Sequence, residues 1–448
     1  MDKEYLIHEK PMKALIVFAL PMIIGNLFQQ FYTMVDSIVV GRFVSQNALA
    51  AVGASYSVTN VFICVAIGGG VGASVIISRY FGAREYGKMK QASYTALIAF
   101  LVMGIALGLL GFLCGKALMQ LLGTPADIMD MTVVYLNIYF LGLPFLFLYN
   151  VLSALFNAIG RSNIPLYLLI FSSVLNIFLD VYMVCSLRLG VAGVAWATLI
   201  AQGISAVISF LLFLRELHSY PSGQVGIFNG EELKNMARIA LPSILQQSTV
   251  SIGMMLVQSV VNSFGAEMLA GFSAAMRVES ICVVPMAAMG NAISAYTAQN
   301  LGAGEEQRVV KGYRVVKWIA LFFAGIICIV LELFHTSIVS MFLGDNGTRL
   351  AFQTGASYLK FMGWFFLLIG LKMVTDGLLR GAGDMKMFTV ANLANLTIRV
   401  AVAVTLAPHY GIALVWCAVP IGWLVNFIIS YAEYRTGKWK HIIRTKAA

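Results

Sequence analysis

The sequence predicts an all-α integral membrane protein: twelve transmembrane helices, arranged as two parallel-repeat six-helix bundles around a central cleft. Three observations predict it. Of 448 residues, 60% are hydrophobic and 11% charged, with a mean hydropathy of +0.85, whereas a soluble protein is about a quarter charged. Apolar runs of about 20 residues, the length that crosses a bilayer core, recur along the whole chain. Landmarks of the first six runs also return in the last six at an offset of about 220 residues.

The first run, 13–38, contains Pro21 and ends near Asp36. No small-residue cleavage site follows at signal-peptide distance, so it reads as a retained membrane span. Span two, 48–78, carries Gly68-Gly69-Gly70-Val71-Gly72, whose small residues permit close helix contact. Spans three and four follow at 92–114 and 131–155, with Tyr135 in the first turns of the latter. Span five, 165–187, holds Asn176 and Asp180 on one face, and span six, 191–214, holds Thr198. The longest polar stretch, His218 to Glu232, then reads as a linker. The second half repeats the pattern with spans at 239–263, 268–298, 315–336, 353–379, 387–407 and 411–433. The expected organisation is an N-terminal bundle over 1–217, a cytoplasmic linker over 218–236 and a C-terminal bundle with a basic tail over 237–448.

The landmarks of the repeat are specific. Ala19-Leu20-Pro21 returns as Ala240-Leu241-Pro242, and Phe81-Gly82-Ala83 as Leu301-Gly302-Ala303. Gly190-Val191 matches Gly411-Ile412, and the Asn176–Asp180 segment aligns with Asn395–Arg399. Six spans per half is an even number, so the repeats run parallel, a transporter architecture. With the N-terminus inside, 22 of the 30 Lys and Arg fall on the cytoplasmic side and four (Arg42, Lys116, Arg188, Arg349) outside. Both termini are therefore expected in the cytoplasm, and the net charge of +10 reads as membrane-facing loops rather than a nucleic-acid surface. Six cysteines without a CxxC pair suit buried, unpaired thiols.

Ionisable residues inside spans are costly and point to function. The first half has two, Asp36 and Asp180, and no base. With Tyr135, Asn176 and Thr198 at a similar depth, they are expected to converge on one pocket. There two carboxylates would share a proton or hold a cation, and oxygen ligands suit H⁺ or Na⁺ rather than zinc. Either acid could alternatively pin helices by hydrogen bonding. The second half contains Arg277, Glu279, Lys360, Lys372, Asp376 and Arg399 in its spans. Lys372 and Asp376 read as a structural i,i+4 pair. Arg277, Glu279, Lys360 and Arg399 read as substrate-cleft or ion-pair residues, Arg399 either neutralising an acid or attracting an anionic group. Pro21 allows a kink in the span that carries Asp36. No nucleotide-binding or HExxH motif occurs, so neither ATP hydrolysis, an enzyme activity nor a cofactor is expected; an ion gradient remains as the energy source.

Met34-Val35-Asp36-Ser37-Ile38-Val39-Val40-Gly41, followed by Ala48-Leu49-Ala50-Ala51-Val52-Gly53, resembles the first-span signature of the multidrug and toxic compound extrusion (MATE) family. Phe81-Gly82-Ala83, Leu175–Asp180, Gly190-Val191-Ala192-Gly193 and Leu379-Arg380-Gly381-Ala382-Gly383-Asp384 are similar to its other landmarks. The resemblance covers the whole chain and is greatest to the DinF-like bacterial branch. It implies export of amphipathic, often cationic drug-like compounds in exchange for H⁺ or Na⁺, with Asp36, Asn176, Asp180, Thr198 and Tyr135 as the coupling site and Pro21 as the kink. A monomeric protein of the bacterial cytoplasmic membrane is also expected. The acid that the NorM-like branch places in span seven is missing from 239–263. The alternative within the wider superfamily is a flippase for a lipid-linked or anionic substrate, with Arg277, Lys360 and Arg399 lining its path; a membrane-embedded enzyme or receptor lacks a catalytic constellation here.

Overall fold

In the computed structural model, which describes residues 4–262, 265–344, 347–406, 409 and 413–440, twelve helices are long and apolar enough to cross a membrane. The first six are Pro11–Val44, Gln46–Gly82, Tyr86–Leu121, Ala126–Ala158, Asn163–Ser186 and Gly190–His218. The others are Gly230–Val257, Glu267–Gly302, Glu306–Leu343, Arg349–Ala382, Met385–Thr405 and Val415–Thr436. Among the described residues no strand forms. Helices are what a bilayer demands, since each backbone N–H and C=O must be bonded within its own segment. Several run well past the apolar window: span two has 37 residues, or about 55 Å at 1.5 Å per residue, against about 30 Å of hydrocarbon. Large apolar side chains such as Leu113 and Leu121 are 79% and 83% exposed, as lipid-facing residues are. The landmark Gly411-Ile412 lies outside the described residues.

The chain divides into two compact units, Leu20–Ile244 and Met1–Ala19 with Leu245–Ala448. The division falls inside spans one and seven, next to Pro21 and Pro242. In the Leu20–Ile244 unit, span four is the central helix and packs on spans two, three and six, while span five packs on six. The glycine run of span two sets its contacts. A Cβ on Gly68 would lie 2.6 Å from the Ile244 backbone, one on Gly69 2.8 Å from the Phe100 ring, and one on Gly72 2.6 Å from the Met236 carbonyl. The polar stretch after span six is bound to this unit. Lys90 Nζ donates to the Tyr220 carbonyl (2.9 Å), Tyr80 Oη donates to Glu232 (2.7 Å), and the Asn229 N–H donates to Thr95 Oγ1 (3.0 Å). Asn229 also caps the seventh helix, its Oδ1 accepting from the N–H groups of Glu231 and Glu232. That side-chain acceptor starts the helix at Gly230 rather than at the apolar onset near 239.

The second unit repeats this plan. Span ten packs on spans eight, nine and twelve, and span eleven on twelve. Ahead of span one, Tyr5–His8 forms a single buried helical turn. Asn300 Nδ2 donates to the Leu6 carbonyl (3.2 Å), and Arg308 donates through Nη2 to the Glu9 carbonyl (2.7 Å) and through Nε to Asn300 (3.0 Å). Lys372 and Asp376 form a buried ion pair at 3.1 Å. Asn392 reaches both partners, and Ser430 Oγ donates to Asp376 Oδ1 (2.7 Å), so the pair is fully bonded.

Three helices end in π-helical turns: Val40–Val44 in span one, Tyr182–Ser186 in span five and Val402–Leu406 in span eleven. Each begins two to four residues after an intramembrane ionisable group, Asp36, Asp180 or Arg399. Such widened turns often lie at functional sites.

Two predictions follow from this packing. Gly68→Ala should lower the thermal stability of the purified protein by about 1–3 kcal/mol, because backbone cannot yield, whereas Gly53→Ala on the same helix, with nothing within 4 Å, should be neutral. The second concerns Asp384, which precedes span eleven. Burial and the neighbouring Glu433 carboxylate push it up to about 6. A carboxyl raised in the folded state favours folding less as pH rises from about 4 to 6, and no further change follows above that. Asp384→Asn should therefore gain stability over the wild type progressively across that window, by at most about 3 kcal/mol at pH 7, read as a growing difference in melting temperature; a gain independent of pH would sink the assignment.

Candidate functional site

In span one, Tyr32 and Asp36 are four residues apart and so share a helix face. In span five, Asn176 and Asp180 share one in the same way. The two faces meet. Asp36 and Asp180 lie within side-chain hydrogen-bonding reach of one another, an approach that two carboxylates tolerate only with a proton or cation between them. The Asn176 amide, oriented to satisfy both of its polar atoms, donates to Tyr32 Oη (2.6 Å) and to Asp180 Oδ2 (3.1 Å), and its oxygen accepts from Thr198 N (3.0 Å). Tyr32 also bonds the Thr198 side chain, whose hydroxyl donates to the Val194 carbonyl (3.1 Å). Tyr135, from span four, adjoins both carboxylates.

Asp180 and Asn176 are almost wholly buried, at 0% and 2% exposure. Asp36 Oδ1 and Asp180 Oδ1 are buried without a hydrogen-bond partner among the described residues. Two spare carboxylate oxygens in a set of hydroxyl and amide groups fit a proton or a hard monovalent cation. No group of three His, Cys, Asp or Glu that could hold a metal forms among the described residues. Beyond the polar cluster, at the end of the bundle remote from Pro21, Val40, Ala48, Val184, Val191 and Val194 form an apolar cluster against which Tyr135 packs. Val40 and Val184 belong to the π turns, so the widened turns that follow the acids also supply the apolar cover beside them.

All five residues expected at this site come together; Tyr32 is the one that sequence reading missed. Its hydroxyl is hidden in an aromatic-rich run, and the signal that could have found it is its position one turn before Asp36.

The second-half residues divide differently. Glu279 and Arg399 are buried, at 5% and 7% exposure. Tyr358 Oη donates to the Glu279 carboxylate, and Arg399 lies within electrostatic reach of both. Arg277 and Lys360 do not join them. Arg277 is two residues from Glu279, about 200° around the helix, and is exposed. Lys360 is also exposed and pairs with Glu332 at 3.4 Å.

The sequence model of the MatE family matches residues 21–182 and, a second time, 242–405. The internal repeat is thus a repeat of the family's own unit, and each match begins at a span proline. A probable multidrug resistance protein of Bacillus subtilis, YpnP, is 29% identical over 432 residues, covering 96% of each chain. A protein of Shewanella oneidensis named as an FAD transporter is 24% identical over 353 residues, 77% of each chain. Among solved structures, a MOP superfamily transporter from Pyrococcus furiosus superposes with a TM-score of 0.91 at 25% identity, covering 98% of each chain; the reverse polarity of its binding pocket is described as suggesting a different function. With the family matched twice along the chain and the twelve-helix fold shared with such transporters, this protein belongs to the MatE family of multidrug and toxic compound extrusion proteins and is a multi-pass membrane transporter, not an enzyme.

Proposed function

We propose that the chain is a secondary active exporter that moves amphipathic, cationic drug-like compounds out of the cell in exchange for H⁺ or Na⁺ by alternating access. One observation carries the reading: Asp36 and Asp180 face one another inside the bilayer, and no basic group is among the neighbours that act on either carboxylate. A proton, or a Na⁺ held by the same two acids, is the charge that would make the pair stable there. The ion arrives at carboxylates on spans one and five, and its departure leaves like charges facing each other, which drives the helices apart. Span one is the element placed to respond, since Pro21 interrupts its backbone bonding. No cofactor takes part. We place the protein as a monomer in the bacterial cytoplasmic membrane with both termini inside, which the distribution of Lys and Arg supports.

A second reading, a flippase for a lipid-linked or anionic substrate, is favoured by the buried Arg399 and by the relative named as an FAD transporter. The two are separated by uptake of a fluorescent cationic dye into inverted vesicles under an imposed H⁺ or Na⁺ gradient. Dye should accumulate under one gradient, and Asp36→Asn or Asp180→Asn should reduce the initial rate at least about tenfold at equal expression, on the order of 1.4 kcal/mol or more in coupling. Unimpaired accumulation in both variants would overturn the coupling assignment. Tyr32→Phe removes one hydroxyl from the Asn176 amide and from Thr198. It should raise the ion concentration needed for half-maximal exchange about three- to tenfold, within the usual worth of one hydrogen bond.

A further inference from the structure

The buried guanidinium of the second half is incompletely satisfied. Arg399 Nε finds no hydrogen-bond partner among the described residues. Glu279, the acid within its electrostatic reach, accepts through Oε2 from Tyr358. Trp416 also stands against Tyr358, its ring 5.7 Å away and perpendicular (83°), and Trp416 Nε1 is likewise buried without a partner among the described residues. Arginine and the indole N–H are donors only. A buried donor without an acceptor is costly, more so on a charged group, so Arg399 Nε and Trp416 Nε1, both near one tyrosine, call for a further acceptor beside Glu279.

We infer that Arg399 and Trp416, flanking Tyr358, form a subsite for a single oxyanion, a carboxylate or phosphate group carried by the transported molecule. The guanidinium edge matches the two oxygens of such a group, while Trp416 Nε1–H supplies a further donor. The position suits a ligand that enters and leaves. Arg399 lies within one turn of the π turn Val402–Leu406. The residue of span seven beside its Nε is Gly253, whose missing Cβ would lie 4.0 Å from that nitrogen and 3.8 Å from Cδ. Glu279 acts as the internal counter-charge when no ligand anion is bound and competes with the ligand when one is. The inference rests on the reading of the chain as an exporter and narrows its cargo to amphipathic molecules with one acidic group beside a cationic or aromatic body.

The test uses two dyes that differ in one group: rhodamine 110, with a free carboxyl, and rhodamine 123, its methyl ester. Equilibrium binding of each to the purified full-length protein gives the ratio of their dissociation constants. No gradient is needed, so failure of ion coupling and failure of this site are read separately. The wild type should prefer the carboxylate by about tenfold. Arg399→Gln should abolish the preference, and Arg399→Lys, which keeps the charge but loses the planar edge, should reduce it. Trp416→Phe, which keeps the aromatic ring and drops the N–H, should reduce it about threefold, and Glu279→Gln should enlarge it. Inorganic phosphate should compete with rhodamine 110 and not with the ester. A wild-type ratio near one overturns the proposal, as does a preference that survives in both Arg399 variants. Should Arg399→Gln fail to fold, Trp416→Phe and Glu279→Gln decide alone, and shifts in the same direction in both would overturn it.

Discussion

Two carboxylates that touch inside a bilayer impose the strictest condition in this structure. With no base acting on either carboxylate, the Asp36–Asp180 contact exists only while a proton or cation lies between the two groups. The neighbouring features follow from holding that contact in place. Tyr32 and Asn176, each one turn before its acid, link the two helices by a hydrogen bond of their own. Thr198 brings in span six and Tyr135 brings in span four, the helix that packs on most of its unit. The π turns then place valines over the cluster. Polar bonding between helices is worth more where water is absent, and the first unit concentrates much of it on one pair.

Much of this was legible in the sequence. The twelve spans, the repeat, and the convergence of Asp36, Tyr135, Asn176, Asp180 and Thr198 all come from hydropathy and helical spacing, quantities that a single helix displays on its own. What was hidden depends on partners. The Gly230 start of span seven depends on a cap at Asn229, which a hydropathy window does not weigh. The docking of 218–236 depends on Lys90, Tyr80 and Thr95, more than a hundred residues earlier. The π turns leave no mark in composition at all. Tyr32 was missed because a tyrosine among apolar residues looks like any other membrane aromatic until its hydroxyl is seen facing Asn176.

The halves share a plan and differ in charge. At matching depth, the first carries two acids and the second an acid, a tyrosine and an arginine. Tyr135 and Tyr358 lie at the same distance from the starts of spans four and ten, so the tyrosine is common to both clusters while one of its two acidic neighbours is replaced by an arginine. Duplication thus supplied two equivalent polar positions, and divergence left one with two acids and the other with an acid and an arginine. An exporter needs to distinguish the ion it admits from the molecule it expels, and a charge difference between otherwise similar pockets provides such a distinction.

The bonds from Asn300 and Arg308 to the Leu6 and Glu9 carbonyls join residues 294 and 299 positions apart. During synthesis the N-terminal turn leaves the ribosome long before its partners exist, and span one enters the bilayer with its first residues unsatisfied. Its completion waits for span eight and the start of span nine. This docking thus acts as a late check on assembly: a polypeptide that stops before residue 300 leaves the Tyr5–His8 turn without its partners, open to the proteases that clear unfinished membrane proteins.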